Sequence, residues 1–401
     1  MINISKLYCG TVSPSDALRY GEGKHSFRTA GERRPVVVWN MTRSCNLHCL
    51  HCYTDSEAKR YQGELTTEEG KRLLEDLASF KIPALLLSGG EPLTRRDLFE
   101  LASYAKQLGL RCTLSTNGTL ITPDIASRLK ETGFSYVGIS LDGLGLTNDS
   151  FRGKTGAFEA AIRGFRCCVA AGQRVGLRMT LTRYNIQDLD RIFDFIEEEK
   201  IDRACFYHLV TSGRGAKLAP NDLSHEETRK ALDTILRRTE DFHRRGLQKE
   251  VLTVDNHADG VYLYLKLLEK DPLRASEVYQ HLKWNGGGLN SSGIGIADID
   301  FQGNVHPDQF WMHYTFGNIR QRKFSEIWMD TRDPLLHGLR NRPIYIKGRC
   351  SFCKHFWLCG GSLRVRADLV TGDPWAPDPA CYLTDEEIGL KKDLLEERGQ
   401  R

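Results

Sequence analysis

From residue 35 onward, short apolar runs alternate with stretches of helical apolar spacing. Pro35-Val36-Val37-Val38-Trp39 reads as a buried strand, and Thr66 to Phe80 has helical apolar spacing behind a Thr-Thr-Glu-Glu start. Ala84-Leu85-Leu86-Leu87 is a short apolar run that ends at Gly89-Gly90. The cycle repeats. Helical patterns at Asp97 to Leu108, Pro123 to Glu131, Phe158 to Ala171 and Ile186 to Glu199 alternate with strand patterns at Arg111 to Ser115, Tyr136 to Leu141, Gly176 to Leu181 and Ala204 to Leu209. Such alternation predicts an α/β fold, with parallel strands and crossover helices in a barrel or an open sheet. From Ala216 to His281 the pattern is mostly charged helix, interrupted at Thr253 to Gly260, and the Gly/Ser-rich stretch Gly286 to Gly295 predicts a loop or hinge. Four segments are therefore expected: a polar arm at 1–34 that includes Gly21, Gly23 and Lys24, the strand-helix alternation at 35–215, a helical segment at 216–285, and a C-terminal module at 286–401.

Length and composition allow one large core or a core plus a smaller module: 401 residues, 40% hydrophobic and 27% charged. Lys and Arg outnumber Asp and Glu by only 56 to 52, which argues against nucleic acid or an anionic membrane surface as the main partner. With no signal-peptide pattern at Met1 to Pro14 and no long apolar run, the expected location is the cytoplasm. There thiols stay reduced, so the twelve cysteines point to metal ligation rather than disulfides. Cys45, Cys49 and Cys52 form one group; Cys350, Cys353 and Cys359 form a second, followed by Cys381. Cys9, Cys112, Cys167, Cys168 and Cys205 are scattered and read as small buried hydrophobes.

Cys45-x3-Cys49-x2-Cys52 offers three thiolates from a loop just beyond a strand. Three protein ligands on a four-iron cubane leave one iron open to another ligand. Zinc is the competing reading, with His48 or His51 as a fourth ligand. In the second group four thiolates match a complete cluster site, or a structural zinc. Further polar motifs, Ser88 to Glu91, Ser115 to Gly118 and Ser140 to Gly143, each follow a strand pattern, where parallel sheets place active sites.

The Cys45 to Cys52 loop, Ser88-Gly89-Gly90-Glu91-Pro92, Ser115-Thr116-Asn117-Gly118 and Ser140-Leu141-Asp142-Gly143 together resemble the radical S-adenosylmethionine (SAM) superfamily over about Val36 to Gly215. The resemblance implies a partial (β/α)6 TIM-like barrel whose three cysteines hold a 4Fe-4S cluster that chelates SAM. It further implies that Gly89, Gly90 and Glu91 meet the SAM amine, that Ser140 and Asp142 contact its ribose or methionyl part, that Arg178 pairs with its carboxylate, and that Asn117 touches the nucleoside. The residue before the third cysteine, usually aromatic in the family, is here His51. Cys350, Cys353, Cys359 and Cys381 resemble the SPASM extension, which implies an auxiliary 4Fe-4S cluster. A low-potential electron donor such as a ferredoxin or flavodoxin is implied as partner.

Phrases such as Val36-Val37-Val38-Trp39-Asn40, Ser212-Gly213-Arg214-Gly215, Asp255 to Gly260, Asn304-Val305-His306-Pro307-Asp308 and Thr371 to Trp375 are similar to the tetrapyrrole-modifying branch. That branch implies removal of two acetate side chains from 12,18-didecarboxysiroheme to give iron-coproporphyrin III, or attack on its propionates in haem d1 synthesis. A peptide maturase is the other reading. A macrocycle bearing carboxylates calls for basic clamps and an aromatic wall, so Arg214, His257, Trp311, Arg364 and Arg366 are the candidate substrate contacts.

Overall fold

The computed structural model describes residues 1–11, 16–20 and 34–390. Gly21, Gly23 and Lys24 of the expected arm lie outside the described residues. Eleven strands occur among the described residues: β1 (Ile2–Asn3), β2 (Val36–Asn40), β3 (Leu85–Ser88), β4 (Cys112–Thr116), β5 (Tyr136–Ser140), β6 (Val175–Leu181), β7 (Arg203–His208), β8 (Glu250–Val254), β9 (Ile296–Ile299), β10 (Asn304–His306) and β11 (Gly317–Asn318). They belong to two compact units.

One unit spans the described residues from 34 to 222, together with 292–337. Its strands β2 to β7 pair in chain order and all in parallel. Helices Thr67–Ser79, Leu98–Gln107, Pro123–Thr132, Ala157–Ala170 and Leu189–Glu198 make the five crossovers. Six parallel strands joined by five crossover helices are the topology expected for the partial barrel. The first crossover illustrates how local chemistry starts a helix. Thr66 caps it, accepting from the Glu69 N–H while the Glu69 carboxylate accepts from the Thr66 N–H, and Leu73, Leu74 and Leu77 recur at helical spacing to meet the core. Val37, Trp39, Leu85, Leu87, Leu114, Val137, Leu177, Met179 and Phe206 are all buried.

Segment 292–337 departs from the expected division. Its sequence places it in the C-terminal module, yet β9 lies parallel to β2, with Val38 opposite Asp298, and β10 and β11 follow antiparallel. Backbone pairing along the free edge of β2 outweighs sequence proximity, because an unpaired edge leaves its N–H and C=O groups unsatisfied.

The other unit gathers the described residues of 1–27 with 223–291 and 338–390. Here the Thr253 to Gly260 interruption begins as a strand: β8 pairs antiparallel with β1, Ile2 opposite Thr253, and all five β8 residues are buried. The arm is therefore structural at its start, with Ile2, Ile4 and Leu7 among the most buried side chains. Helices His225–Arg244, Ala258–Lys270 and Pro272–Asn285 follow, and Cys350 and Cys359 lie on short helical turns at Gly348–Ser351 and Phe356–Cys359. Of the scattered cysteines, Cys112, Cys168 and Cys205 are buried and Cys9 and Cys167 half-buried.

The β3 turn leaves no room for side chains. A Cβ at Gly89 would stand 2.3 Å from the Thr42 carbonyl oxygen and one at Gly90 2.2 Å from that of Ser44, and Gly89 has a φ of 134°. Gly90→Ala is expected to cost about 1–3 kcal/mol, as overpacking does, and to push the cysteine loop outward. Urea unfolding and iron content after reconstitution check this.

Candidate active site

The first cysteine loop springs from the carboxyl end of β2. Met41 N–H donates to the Ser88 carbonyl at 3.0 Å, Gly90 N–H to Thr42 at 2.7 Å and Glu91 N–H to Ser44 at 2.8 Å, which bolts the loop stem to the glycine turn. Cys45 and Cys49 are buried and Cys52 half-buried, packed together with Leu47 and Ala157. Donors surround the sulfurs: Leu47 N–H reaches Cys45 Sγ at 3.4 Å, Ser56 N–H reaches Cys52 Sγ at 3.4 Å, and Arg152 Nη1 reaches Cys49 Sγ at 3.5 Å. Burial pushes the Cys45 thiol up to about 12, with Glu91, Cys49 and Cys52 adding to the rise. Burial likewise raises Cys49, against the Arg152 cation. Three thiols on one short loop, packed together with N–H and guanidinium donors at their sulfurs, are a donor set that fits a metal cluster.

Glu91 is fully buried, and its carboxylate accepts from Thr116 Oγ1 at 2.7 Å, Asn117 N at 2.8 Å and Leu93 N at 3.1 Å. Its oxygens are thus engaged by the chain, Oε1 twice and Oε2 once, so the carboxylate ties the ends of β3 and β4 together. Burial still raises its pKa over those three donors. Asn117 is likewise turned inward, donating to Asn46 Oδ1 at 2.8 Å and toward Cys45 Sγ at 3.9 Å. Asp142, expected at the ribose, is 1% exposed; it accepts from Thr180 N at 2.6 Å and forms an ion pair with Arg152. These three acids and amides hold the loops in place because the low-dielectric interior demands a donor for every buried acceptor. Ser140 ends β5 half-buried, opposite Arg178 on β6.

Arg178 behaves differently. Its Nε donates to Tyr207 Oη at 2.9 Å, its guanidinium lies 4.9 Å from the centre of that ring, and Nη1 donates to Ser115 Oγ. Among the described residues no carboxylate pairs with it. A half-buried cation without a counter-ion suits an anionic ligand. His51 packs on Phe151 with ring centroids 4.8 Å apart, and burial lowers its pKa to about 4, so the ring is neutral.

In the other unit Cys350 packs with Ile346 and Phe356 beside Cys353 and Leu289. Burial raises the Cys359 thiol, with Cys381, Cys350, Asp378 and Cys353 adding to the effect, so the four thiols gather. Among the described residues no three His, Cys, Asp or Glu side chains stand in the arrangement that grips a single metal ion.

The expected substrate contacts are mostly turned inward. Arg214 donates from Nε to the Cys49 carbonyl at 3.1 Å and pairs with Asp55 at 2.9 Å, bracing the cysteine loop. Trp311 is 1% exposed and stacks on His313. His257 is buried, and its pKa is lowered, chiefly by burial. Arg364 is wholly buried and donates to the carbonyls of Pro374, Ala376 and Gly361, while Arg366 pairs with Asp378 at 3.0 Å and donates to Asp255 O at 2.8 Å. Both are corrected from clamps to structural ties, because a guanidinium with five donors satisfies several buried carbonyls at once. Sequence reasoning missed Arg152: a lone Arg before Gly153 carries no spacing signal.

A sequence model described as the radical SAM superfamily matches residues 39–196. With relatives far above 30% identity over nearly its whole length, the chain belongs to the radical SAM superfamily. It is an enzyme whose family brings SAM and a 4Fe-4S cluster. It is 57% identical over 397 residues to Fe-coproporphyrin III synthase of Methanosarcina barkeri, covering 97% of this chain and 99% of that one. To pre-heme d1 synthase of Dinoroseobacter shibae it is 47% identical over 366 residues, covering 91% and 90%. In fold it resembles Streptococcus suis SuiB bound to S-adenosylmethionine, with a TM-score of 0.66 at 19% identity over 88% of this chain and 78% of that one. It also resembles anSMEcpe with bound AdoMet, with a TM-score of 0.68 at 18% identity over 91% and 99%.

Removing Asp378 takes away the carboxylate that faces the buried Arg366 guanidinium. Asp378→Ala is expected to cost about 3–5 kcal/mol. Burial works against the Asp378 carboxylate, but Arg366 and Arg364 outweigh it and hold the pKa below its usual 3.8. The folded carboxylate is therefore favoured above the unfolded pKa, and that stabilisation is lost as pH falls through the folded one. Urea titrations of wild type and variant at pH 7 and pH 3 check both points, with the gap narrowing at low pH.

Proposed function

We propose that the protein removes the two acetate side chains of 12,18-didecarboxysiroheme to give iron-coproporphyrin III. The observation that carries this reading is the 57% identity, over almost the full length of both chains, to a Fe-coproporphyrin III synthase. The 47% identity to a pre-heme d1 synthase keeps attack on propionates as the second reading. Peptide-bound solved structures resemble the chain at only 19–20% identity, and the 31% identity over 366 residues to a mycofactocin maturase of Mycobacterium tuberculosis is far below the 57% to the Fe-coproporphyrin III synthase.

Cys45, Cys49 and Cys52 hold the SAM-binding 4Fe-4S cluster. Cluster and SAM, when bound, supply a 5'-deoxyadenosyl radical able to take hydrogen from an unactivated carbon. Arg178 receives the SAM carboxylate, since it stands half-buried in the middle of β6 with no carboxylate partner among the described residues, and the Gly89-Gly90 turn, held against the Thr42 to Ser44 backbone, meets the SAM amine. Glu91, Asn117 and Asp142 position these groups from behind. Ser140 contributes a hydroxyl beside Arg178.

Cys350, Cys353, Cys359 and Cys381 hold a second, auxiliary 4Fe-4S cluster, supported by their mutual proximity. All twelve cysteines are free and no helix among the described residues is long and apolar enough to cross a membrane, which suits a cytoplasmic enzyme fed by a ferredoxin or flavodoxin. Anaerobic reconstitution is expected to load about eight irons per chain, falling to about four in Cys350→Ala/Cys353→Ala; one zinc in place of either cluster would refute the assignment.

The activity is tested by anaerobic incubation with SAM, dithionite and didecarboxysiroheme, the macrocycle being weighed by mass spectrometry. Loss of two acetate chains is expected. Altered propionates would move the protein to the haem d1 reaction, and SAM cleavage with an untouched macrocycle would defeat both tetrapyrrole readings.

A further inference from the structure

Arg152 is the last residue of helix Leu146–Arg152, which Gly153 closes in the left-handed region at φ 68°. Its side chain is 7% exposed. Nη1 donates to Cys49 Sγ at 3.5 Å, Nη2 pairs with Asp142, and Nε is buried without a hydrogen-bond partner among the described residues. The backbone on either side is fastened to the cysteine loop: His48 N–H donates to the Arg152 carbonyl at 3.2 Å and Leu50 N–H to that of Phe151 at 3.0 Å. A Cβ at Gly153 would stand 2.5 Å from the His48 carbonyl oxygen, so the two segments touch. Asp142 is itself pinned by Thr180 N–H, which fixes the direction of the guanidinium.

A cation in a low-dielectric site next to a cluster thiolate favours whichever state carries more negative charge. For a 4Fe-4S cluster that is the reduced state, and hydrogen bonds to ligand sulfurs act in the same sense. The carboxylate of Asp142 opposes it, being of the other sign.

We propose that Arg152 raises the reduction potential of the cluster held by Cys45, Cys49 and Cys52, donating to the Cys49 sulfur, and that Asp142 aims the guanidinium and moderates its charge. This rests on those three cysteines being the cluster ligands. Arg152 is a positioning residue: one electron from a low-potential donor enters the cluster, and Arg152 sets how readily it does so.

The test is a dithionite-poised redox titration of the full-length reconstituted protein, following by electron paramagnetic resonance the signal that changes when SAM is added. Arg152→Gln is expected to lower the ratio of reduced to oxidised cluster on the order of tenfold at a fixed potential, a shift of ~59 mV to the negative for a one-electron couple. Asp142→Asn leaves the cation unbalanced and is expected to shift the midpoint the opposite way, with Arg152→Lys between Gln and wild type. A purely structural role would lower iron content without producing shifts of opposite sign. If Arg152→Gln loses the cluster, Arg152→Lys and Asp142→Asn decide, and an unchanged midpoint in both, or shifts of the same sign, overturns the proposal. Wild-type protein that loads no SAM-responsive cluster would instead overturn the ligand assignment, a failure visible before any variant is made.

Discussion

The geometry at the mouth of the barrel unit depends on a close approach: the Gly89-Gly90 turn lies against the Thr42 to Ser44 backbone at distances that exclude any side chain. Everything chemical in this unit is referred to that contact. It sets the height of the first cysteine loop above β2, and through Glu91 it ties the end of β3 to the end of β4. The Glu91 carboxylate tolerates complete burial because three donors meet it, hydrogen bonds to a charged group being worth about 1.5–3 kcal/mol each. A buried acid of this kind serves as a joint between strand ends, and parallel sheets need such joints because their functional loops leave from neighbouring strands.

Buried cations divide by what faces them. Arg152 has Asp142, Arg214 has Asp55 and Arg366 has Asp378, each pair at ion-pair distance. Arg364 has a ring of backbone carbonyls. Arg178 alone among the predicted site arginines has neutral hydroxyls. In a low-dielectric interior an unbalanced charge is costly, so the arginine left without a carboxylate is the one whose partner arrives with the ligand.

The fold was legible because its signals are local. Short apolar runs and helical spacing marked all six parallel strands and their crossovers within a residue or two, except that the pattern from Ile186 opens with a 3-10 turn before the helix at Leu189, and the capping box at Thr66 and Glu69 marked where a helix begins. The cysteine groups were legible for the same reason, since ligand spacing is a property of short loops. Less was legible where pairing is non-local: β9 begins at Ile296, far in sequence from its partner β2, as β8 lies far from β1, and each is defined by the edge it meets.

The roles of individual polar residues were the least legible. The sequence alone settled the class of chemistry, because thiolate spacing and glycine turns are written in consecutive residues and admit few alternatives. Whether Glu91, Asp142, Arg364 or Arg366 faces a ligand or the protein's own backbone was decided only by the tertiary structure. A charged side chain takes its role from the nearest counter-charge or unpaired carbonyl, and those partners stand 10 to 25 residues away or further along the chain, as Thr116 does from Glu91 and Ala376 from Arg364. Arg152 is the sharpest case. Nothing around it in sequence hints at a thiol, and folding places its guanidinium against the sulfur of Cys49.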